Sequence, residues 1–499
     1  MATTSEMKAN NRYIISITLV ATLGGLLFGY DTAVISGTVS TLNTVFITPR
    51  GLSESAANAL LGFCVASALI GCIIGGACGG PLSARFGRKK TLLVAAVLFC
   101  LSAVGSAFPE FGHRAINAND GIPYYLSGYL SEFVIYRIIG GIGVGLASMV
   151  SPMYIAEITP AKIRGRMVAC NQFAIILGQL LVYCVNYGIA LSGSASWLDT
   201  MGWRFMFLSG AVPSMLFFIL LFAVPESPRW LAVKGMNAEA AAVLQKLLGK
   251  VQSQIELRNI LNSVNASPTK NTPLFSFGIG IIVIGILLSV FQQFVGINVV
   301  LYYAPEVFRS VGSSTDVALL QTIIVGVINL LFTTIAILTV DNFGRKPLQI
   351  IGALGMAFGM FTLGTAFYTK MSPTVALGAM LFYVASFAIS WGPVCWVLLA
   401  EIFPNRIRSK AMSIAVAAQW IANYLVSWTF PMMDKNSYLN AHFNNGFAYW
   451  LYGVMGLLAA LFMWKFVPET KGKSLEELEA QLQKRQPAMA QQPASSDIS

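Results

Sequence analysis

Phe291 to Pro305 reads FQQFVGINVVLYYAP and lies inside a long apolar run, yet it sets Gln292, Gln293 and Asn298 close together. Amides in hydrocarbon cost free energy unless something pairs with them. Gly296 and Pro305 loosen a helix and free backbone groups for a solute or water. Two kinds of chemistry fit this pattern: a polar wall that hydrogen-bonds a passing solute, or amide bonding between helices. Other apolar runs carry similar groups, namely Gln172, Asn329, Trp396 just past a Gly392–Pro393 break, and Gln419, Trp420 and Asn423. Gln419 and Asn423 are four residues apart and share a helix face.

A second chemistry centres on Asp31, in LLFGYDTAVISG. It is the lone charge in the interior of the first apolar run, and Arg137 in VIYRIIGG is the nearest plausible counter-charge. The cost of a lone carboxylate at that depth suits a residue that loads and releases a proton. A permanent structural salt bridge is the other reading.

These groups need a scaffold. The 499 residues are 56% hydrophobic and 11% charged, with mean hydropathy +0.68, whereas soluble domains carry about 25% charge. At about 20 residues per crossing, some twelve membrane helices fit. The net charge of +11 does not point to nucleic acid, because the basic residues sit in short loops between apolar runs, as cytoplasmic loops require. The seven cysteines show no metal or disulfide spacing, and the only histidines are His113 and His442. No metal and no cofactor is expected. The first apolar run has no small-residue cleavage site and reads as a membrane helix, not a removed signal.

The patterning places helices over about 13–40, 57–84, 91–108, 128–155, 165–190 and 202–224, and over about 274–308, 316–340, 347–368, 374–402, 410–430 and 446–467. The expected organisation is a cytoplasmic N-terminus (1–12), a six-helix bundle (13–224), a cytoplasmic helical linker (225–273), a second six-helix bundle (274–467) and a cytoplasmic tail (468–499) with a disordered end. The loops after the even-numbered helices hold Arg85, Arg88, Lys89 and Lys90, then Lys162, Arg164 and Arg166, then Arg345 and Lys346, then Arg406, Arg408 and Lys410. The other side holds few basic residues, so both termini are expected in the cytoplasm.

The chain repeats itself. RFGRKK (85–90) returns as NFGRKP (342–347), AEITPAKIR (156–164) as AEIFPNRIR (400–408), and PESPR (225–229) as PETKG (468–472), in the same order at nearly one spacing. The halves are parallel repeats related by an axis along the membrane normal, an architecture suited to alternating access.

The paired GRK loops, PESPRWL, QQFVGINVVLYYAP, WGPVCWVLLAEIFPNRIR and PETKGKSLEELE together resemble the sugar porter family of the major facilitator superfamily, from about Tyr13 to Glu479. Within it the chain is similar to the bacterial D-xylose–proton symporters. The resemblance implies an all-α membrane protein with twelve transmembrane helices in two six-helix bundles and short cytoplasmic helices between them. It implies sugar binding at Gln172, Gln292, Gln293, Asn298, Trp396 and Gln419, with Phe28, Tyr302, Asn329, Gly392, Trp420 and Asn423 lining the cavity. A pentose offers hydroxyls around a ring with apolar faces, which amides and an aromatic platform match. It also implies that Asp31 couples transport to the proton by releasing Arg137 when protonated, with D-glucose a further ligand or inhibitor. A monomer in the lipid bilayer of a bacterial inner membrane is expected, with no nucleic-acid partner.

One residue departs from the pattern. Close xylose symporters carry a second acid in helix six, where this chain reads WRFMFLSG and places Gly210. At the cytoplasmic face, pseudo-symmetry predicts a gate of cross-bundle pairs, Glu157 with Arg408 and Glu401 with Arg164, joined by Arg85, Glu226, Asp341 and Arg345. Single exposed pairs contribute under about 1 kcal/mol each, so only a network can bias two states. Charge that merely sets topology is the alternative. A passive hexose or pentose facilitator and a membrane sugar sensor are the competing functions. An enzyme finds no nucleophile–base pair or metal cluster here.

Overall fold

The computed structural model describes residues 11–111, 127–266, 274–403 and 407–470. Every regular element among them is helical. The expected tail helix after Pro468 and its disordered end, and the loop with His113 and Arg114, lie outside the described residues.

Six long helices come first: α1 (Asn11–Ala33), α2 (Glu54–Phe86), α3 (Arg88–Ala107), α4 (Leu130–Ile158), α5 (Ala161–Ala190) and α6 (Ala195–Ala223). Three short helices follow, α7 (Pro228–Val233), α8 (Asn237–Leu248) and α9 (Lys250–Ala266). The second set is α10 (Ile279–Ser310), α11 (Thr315–Phe343), α12 (Arg345–Tyr368), α13 (Pro373–Leu399), α14 (Arg408–Asp434) and α15 (Phe447–Phe466). Eleven of these are long and apolar enough to cross a membrane. The twelfth, α14, has 27 residues. Its Gln419 and Asn423 face is what dilutes its apolar character.

The expected boundaries differ from the observed ones mainly at breaks. α1 stops at Ala33 and passes into a tighter turn over Val34–Gly37. α6 begins earlier than its apolar run, with a wide turn over Leu198–Gly202, and bends at Gly210. α10 runs on past Pro305 to Ser310.

Helices before Pro225 pack chiefly on one another, α2 and α3 both against α4, and α1 against α5. Those after Leu274 do the same, with α12 against α13 and α15, and α10 against α14. Two pairs make the main joints between the halves: α2 with α14, and α5 with α11. The repeat maps α2 onto α11 and α5 onto α14, so the two joints are images of each other. This is what a two-fold axis between the halves requires.

Tight helix contact in a membrane rests on small residues, because lipid tails compete equally for apolar side chains. Gly141 on α4 is the clearest case: a Cβ there would run into the backbone carbonyl of Ala68 on α2. A backbone cannot yield as a side chain does. Gly141→Val is therefore expected to cost about 1–3 kcal/mol, read as a lower melting temperature in detergent. Gly188→Ala, which meets open space, should melt with the wild type.

Candidate functional site: a proton pair, a set of amides and two charge brackets

α10 breaks where Gly296 adopts a left-handed backbone (φ 91°). A break at membrane depth leaves carbonyls without partners. The Val295 carbonyl accepts a hydrogen bond from the Tyr383 hydroxyl of α13 at 2.8 Å. α13 breaks in turn at Ser390, just ahead of the expected Gly392–Pro393 position. There the Gln292 amide donates to the Trp391 carbonyl at 2.8 Å and reaches the Gly392 carbonyl at 3.4 Å. The two broken helices thus satisfy each other. Gln293 donates weakly to Gln292 and accepts from the Asn298 amide. Among the described residues, only Gln292 of these three amides bonds to another helix; the bonds of Gln293 and Asn298 stay within α10.

The remaining amides are placed differently. Gln172, Trp396 and Gln419 are half-buried, and Gln419 keeps its Oε1 buried with no partner among the described residues. Acceptor and donor atoms remain there for a hydroxylated ligand. Trp420 packs its ring 5.6 Å from Phe28 across the two halves. Tyr302 is buried, and Asn423 accepts from Ser427 at 3.1 Å. Asn329 donates to Gln179 of α5 at 3.4 Å, a residue the sequence reading did not select.

Asp31 and Arg137 meet as expected. Arg137 Nη1 lies 3.4 Å from Asp31 Oδ1, and its Nη2 donates to the Asp31 carbonyl at 3.2 Å. The Arg137 guanidinium also lies over the Phe207 ring at 5.4 Å. The pair is buried, with side chains 12% and 1% exposed. Its geometry is incomplete: Asp31 Oδ2 and Arg137 Nε are buried without partners among the described residues. A loose, under-satisfied pair is easier to open than a bidentate one.

The charge motifs assemble otherwise than expected. Glu157 pairs with Arg88, which donates Nε and Nη2 to its two oxygens at 2.8 Å each. Ser227 donates to the same carboxylate. In the second half Arg345 donates to Glu401 at 3.0 Å, and Thr470 donates to its other oxygen. Glu226 accepts from the backbone N–H groups of Arg88 and Lys89, and Glu469 from those of Arg345 and Lys346. The expected pairs of Glu157 with Arg408 and Glu401 with Arg164, which would hold the inside closed and break as it opens, are not formed among the described residues in this conformation: each glutamate is held within its own half. The reason is local. Gly87 and Gly344 turn with positive φ (98° and 88°), which swings the following arginine back onto its own bundle. Arg408 donates instead to the Phe403 carbonyl, Arg164 is exposed, and Arg85 stands over the neighbouring Phe86 ring. The side chain of Asp341 lies outside the described residues. Arg88 was legible in principle, because it is the repeat image of Arg345.

At the end away from the basic loops the halves are joined. Glu54 accepts from the Ser437 backbone and hydroxyl, Asn58 donates to the Lys435 carbonyl at 3.1 Å, and Trp428 donates to the Ala59 carbonyl at 3.0 Å. Nearer mid-depth, Tyr183 donates to the Leu301 carbonyl at 2.8 Å.

The brackets predict a measurable coupling. In a double-mutant cycle of Arg88→Ala and Glu157→Ala, thermal or denaturant stability should report about 1.5–3 kcal/mol of interaction, as for hydrogen bonds to charged groups. The pair Arg408 and Glu157 should show none.

The Sugar (and other) transporter family matches residues 17–482. The chain is 70% identical over 471 residues to the D-xylose-proton symporter of Escherichia coli (strain K12), covering 94% of this chain and 96% of that one. It superposes on the inward open conformation of the xylose transporter XylE from E. coli with a TM-score of 0.86 at 68% identity, over 94% of this chain and all of that one. It superposes on the proton:xylose symporter XylE bound to 6-bromo-6-deoxy-D-glucose with a TM-score of 0.81 at 70% identity, over 95% of this chain and all of that one. By its motifs, its helical architecture and these similarities, the chain belongs to the sugar transporter family.

Proposed function

We propose that this protein is a secondary active transporter that imports D-xylose together with protons by alternating access. The carrying observation is the buried, incompletely bonded Asp31–Arg137 pair, set in a family member that is 70% identical to a D-xylose-proton symporter. A passive carrier has no need of a lone carboxylate at membrane depth, and a charge retained there at that cost points to ion movement.

In this reading residues 13–224 and 274–467 are the two rigid bundles, 225–273 the linker and 468–499 the tail. The basic-loop end and both termini face the cytoplasm of a bacterial inner membrane, where the protein works as a monomer in the bilayer. Sugar sits between the bundles on Gln172, Gln292, Gln293, Asn298, Trp396 and Gln419, with Phe28, Tyr302, Asn329, Gly392, Trp420 and Asn423 around it, and D-glucose binds the same groups. Arg88 with Glu157, and Arg345 with Glu401, stiffen the cytoplasmic ends of the bundles. The far end is the closed one here, so the conformation faces inward.

The deciding experiment is uptake of labelled D-xylose into proteoliposomes holding only this protein. Accumulation above the outside concentration, driven by an inward proton gradient and collapsed by a protonophore, is the expected result. Equilibration without accumulation would make the protein a facilitator. Asp31→Asn should lose uphill uptake and keep exchange; retained accumulation in that variant would remove Asp31 from the coupling. Gln419→Ala should weaken D-xylose binding about ten-fold, or about 1.4 kcal/mol, measured by tryptophan quenching or calorimetry. An unchanged affinity would place the sugar elsewhere.

A further inference from the structure

A small cavity of about 10 Å³ lies beside Asp31, between α1, α3 and α6. Its walls include Tyr30, Asp31, Ala103, Phe207, Gly210 and Ser214. A space of this size holds one water if polar atoms line it. Asp31 supplies one such atom, since its Oδ2 is buried and has no partner among the described residues while Oδ1 faces Arg137. Tyr30 supplies another. Its hydroxyl lies 2.7 Å from Ser209 Oγ, and Ser209 donates its own proton to the Met206 carbonyl. Tyr30 therefore donates to Ser209, and its oxygen keeps lone pairs for a further donor.

Gly210 makes the space. A Cβ at that position would lie 3.6 Å from Ala103 Cβ, 3.7 Å from the Tyr30 ring and 3.3 Å from the Phe207 carbonyl. A methyl group fits there with little displacement, and in doing so it takes up the cavity.

We propose that this cavity is a single-water site, and that its water hydrogen-bonds to Asp31 Oδ2 and delivers the transported proton to it. The step rests on the symport reading above. The water oxygen accepts a proton from solvent as one of its own O–H protons passes to Oδ2. Only O–H bonds form and break, and the carboxylate becomes neutral as Arg137 loses its partner. No wall of the cavity comes from the second half of the chain, so this water site lies within the first bundle. The other titratable groups that act on Asp31 are Arg137 of α4, Cys72 of α2 and Tyr302 of α10, together with the adjacent Tyr30.

The test compares wild type, Gly210→Ala, Gly210→Ser and Ala103→Val in proteoliposomes. Proton-driven D-xylose accumulation, its dependence on pH and equilibrium exchange are measured for each. Gly210→Ala fills the cavity with carbon and is expected to lose accumulation while exchange continues. Ala103→Val fills it from the opposite wall and should do the same. Gly210→Ser puts a hydroxyl where the water stood and is expected to restore accumulation with a shifted pH dependence. Exchange reports folding, so a variant that does not fold is separated from one that does not couple, and the two fillings act independently. If both fillings accumulate sugar with the wild-type pH dependence, the water site is wrong and symport stands. If the wild type itself only equilibrates sugar, the symport reading fails, and the proton delivery proposed here falls with it.

Discussion

Hydrocarbon supplies no hydrogen bonds, so every polar group brought into it must find a partner within the chain. Much of this structure follows from that constraint. The break at Gly296 is possible because the Tyr383 hydroxyl takes the Val295 carbonyl. At the break at Ser390, the Ser390 hydroxyl and N–H take the Ser386 and Phe387 carbonyls, and Gln292 reaches the Trp391 carbonyl just beyond. The two broken helices are thus tied to each other at both breaks. The amides that remain incompletely partnered stand out against this background. Gln419 Oε1 and Asp31 Oδ2 are both buried with no partner among the described residues, as are several other groups such as the Gln349 amide; under the proposed function these two are where a ligand and a proton are to be met.

The repeat imposes a second order. Each half carries one bracket of glutamate, arginine and hydroxyl, and one glutamate that caps the helix after the GRK turn. The bracket ties the loop after one helix to the ends of two others. Two charges sharing several hydrogen bonds in a half-buried setting hold better than an exposed pair. The halves are therefore stiff at the end where they are not zipped together by Glu54, Asn58 and Trp428. Stiff bodies that meet along two symmetry-related joints, α2 with α14 and α5 with α11, can rock about mid-depth with little internal change.

The helices, the two-fold repeat and the pairing of Asp31 with Arg137 were legible in the sequence, because each follows from apolar run length, motif order or the cost of a lone charge. So was the polar face of α10. The brackets within each half were not, since a pseudo-symmetric repeat is equally consistent with pairing within or between halves. What decides is the positive φ of Gly87 and Gly344, a backbone fact that residue types alone do not carry. Arg88 was overlooked in favour of Arg85, three residues away in the same motif, although Arg345 was its visible image. Gln179 was missed because one more amide in a long helix has no pattern of its own until Asn329 is found opposite it. Gly210 was conspicuous as a residue type, but only packing turns a missing side chain into a cavity next to Asp31.

Asp31 and Arg137 stand in the first half and Gln419 in the second, and one contact links their neighbourhoods. Phe28 lies three residues before Asp31 on α1, hence on an adjacent turn. Its ring packs 5.6 Å from Trp420, the residue next to Gln419 on α14. A change in the tilt of one half against the other must alter this contact, because the rings belong to separate bundles and are not bonded. Conversely, any ligand that fixes Gln419 and its neighbours constrains where Phe28 can sit, and so the turn that presents Asp31 to Arg137. Under the proposed symport, linkage makes the effect reciprocal: whatever free energy sugar contributes to one setting of the bundles, protonation of Asp31 feels in equal measure. The aromatic contact does not need to be strong for this. It needs to differ between the two settings of the bundles, and a ring pair that spans the seam between them does.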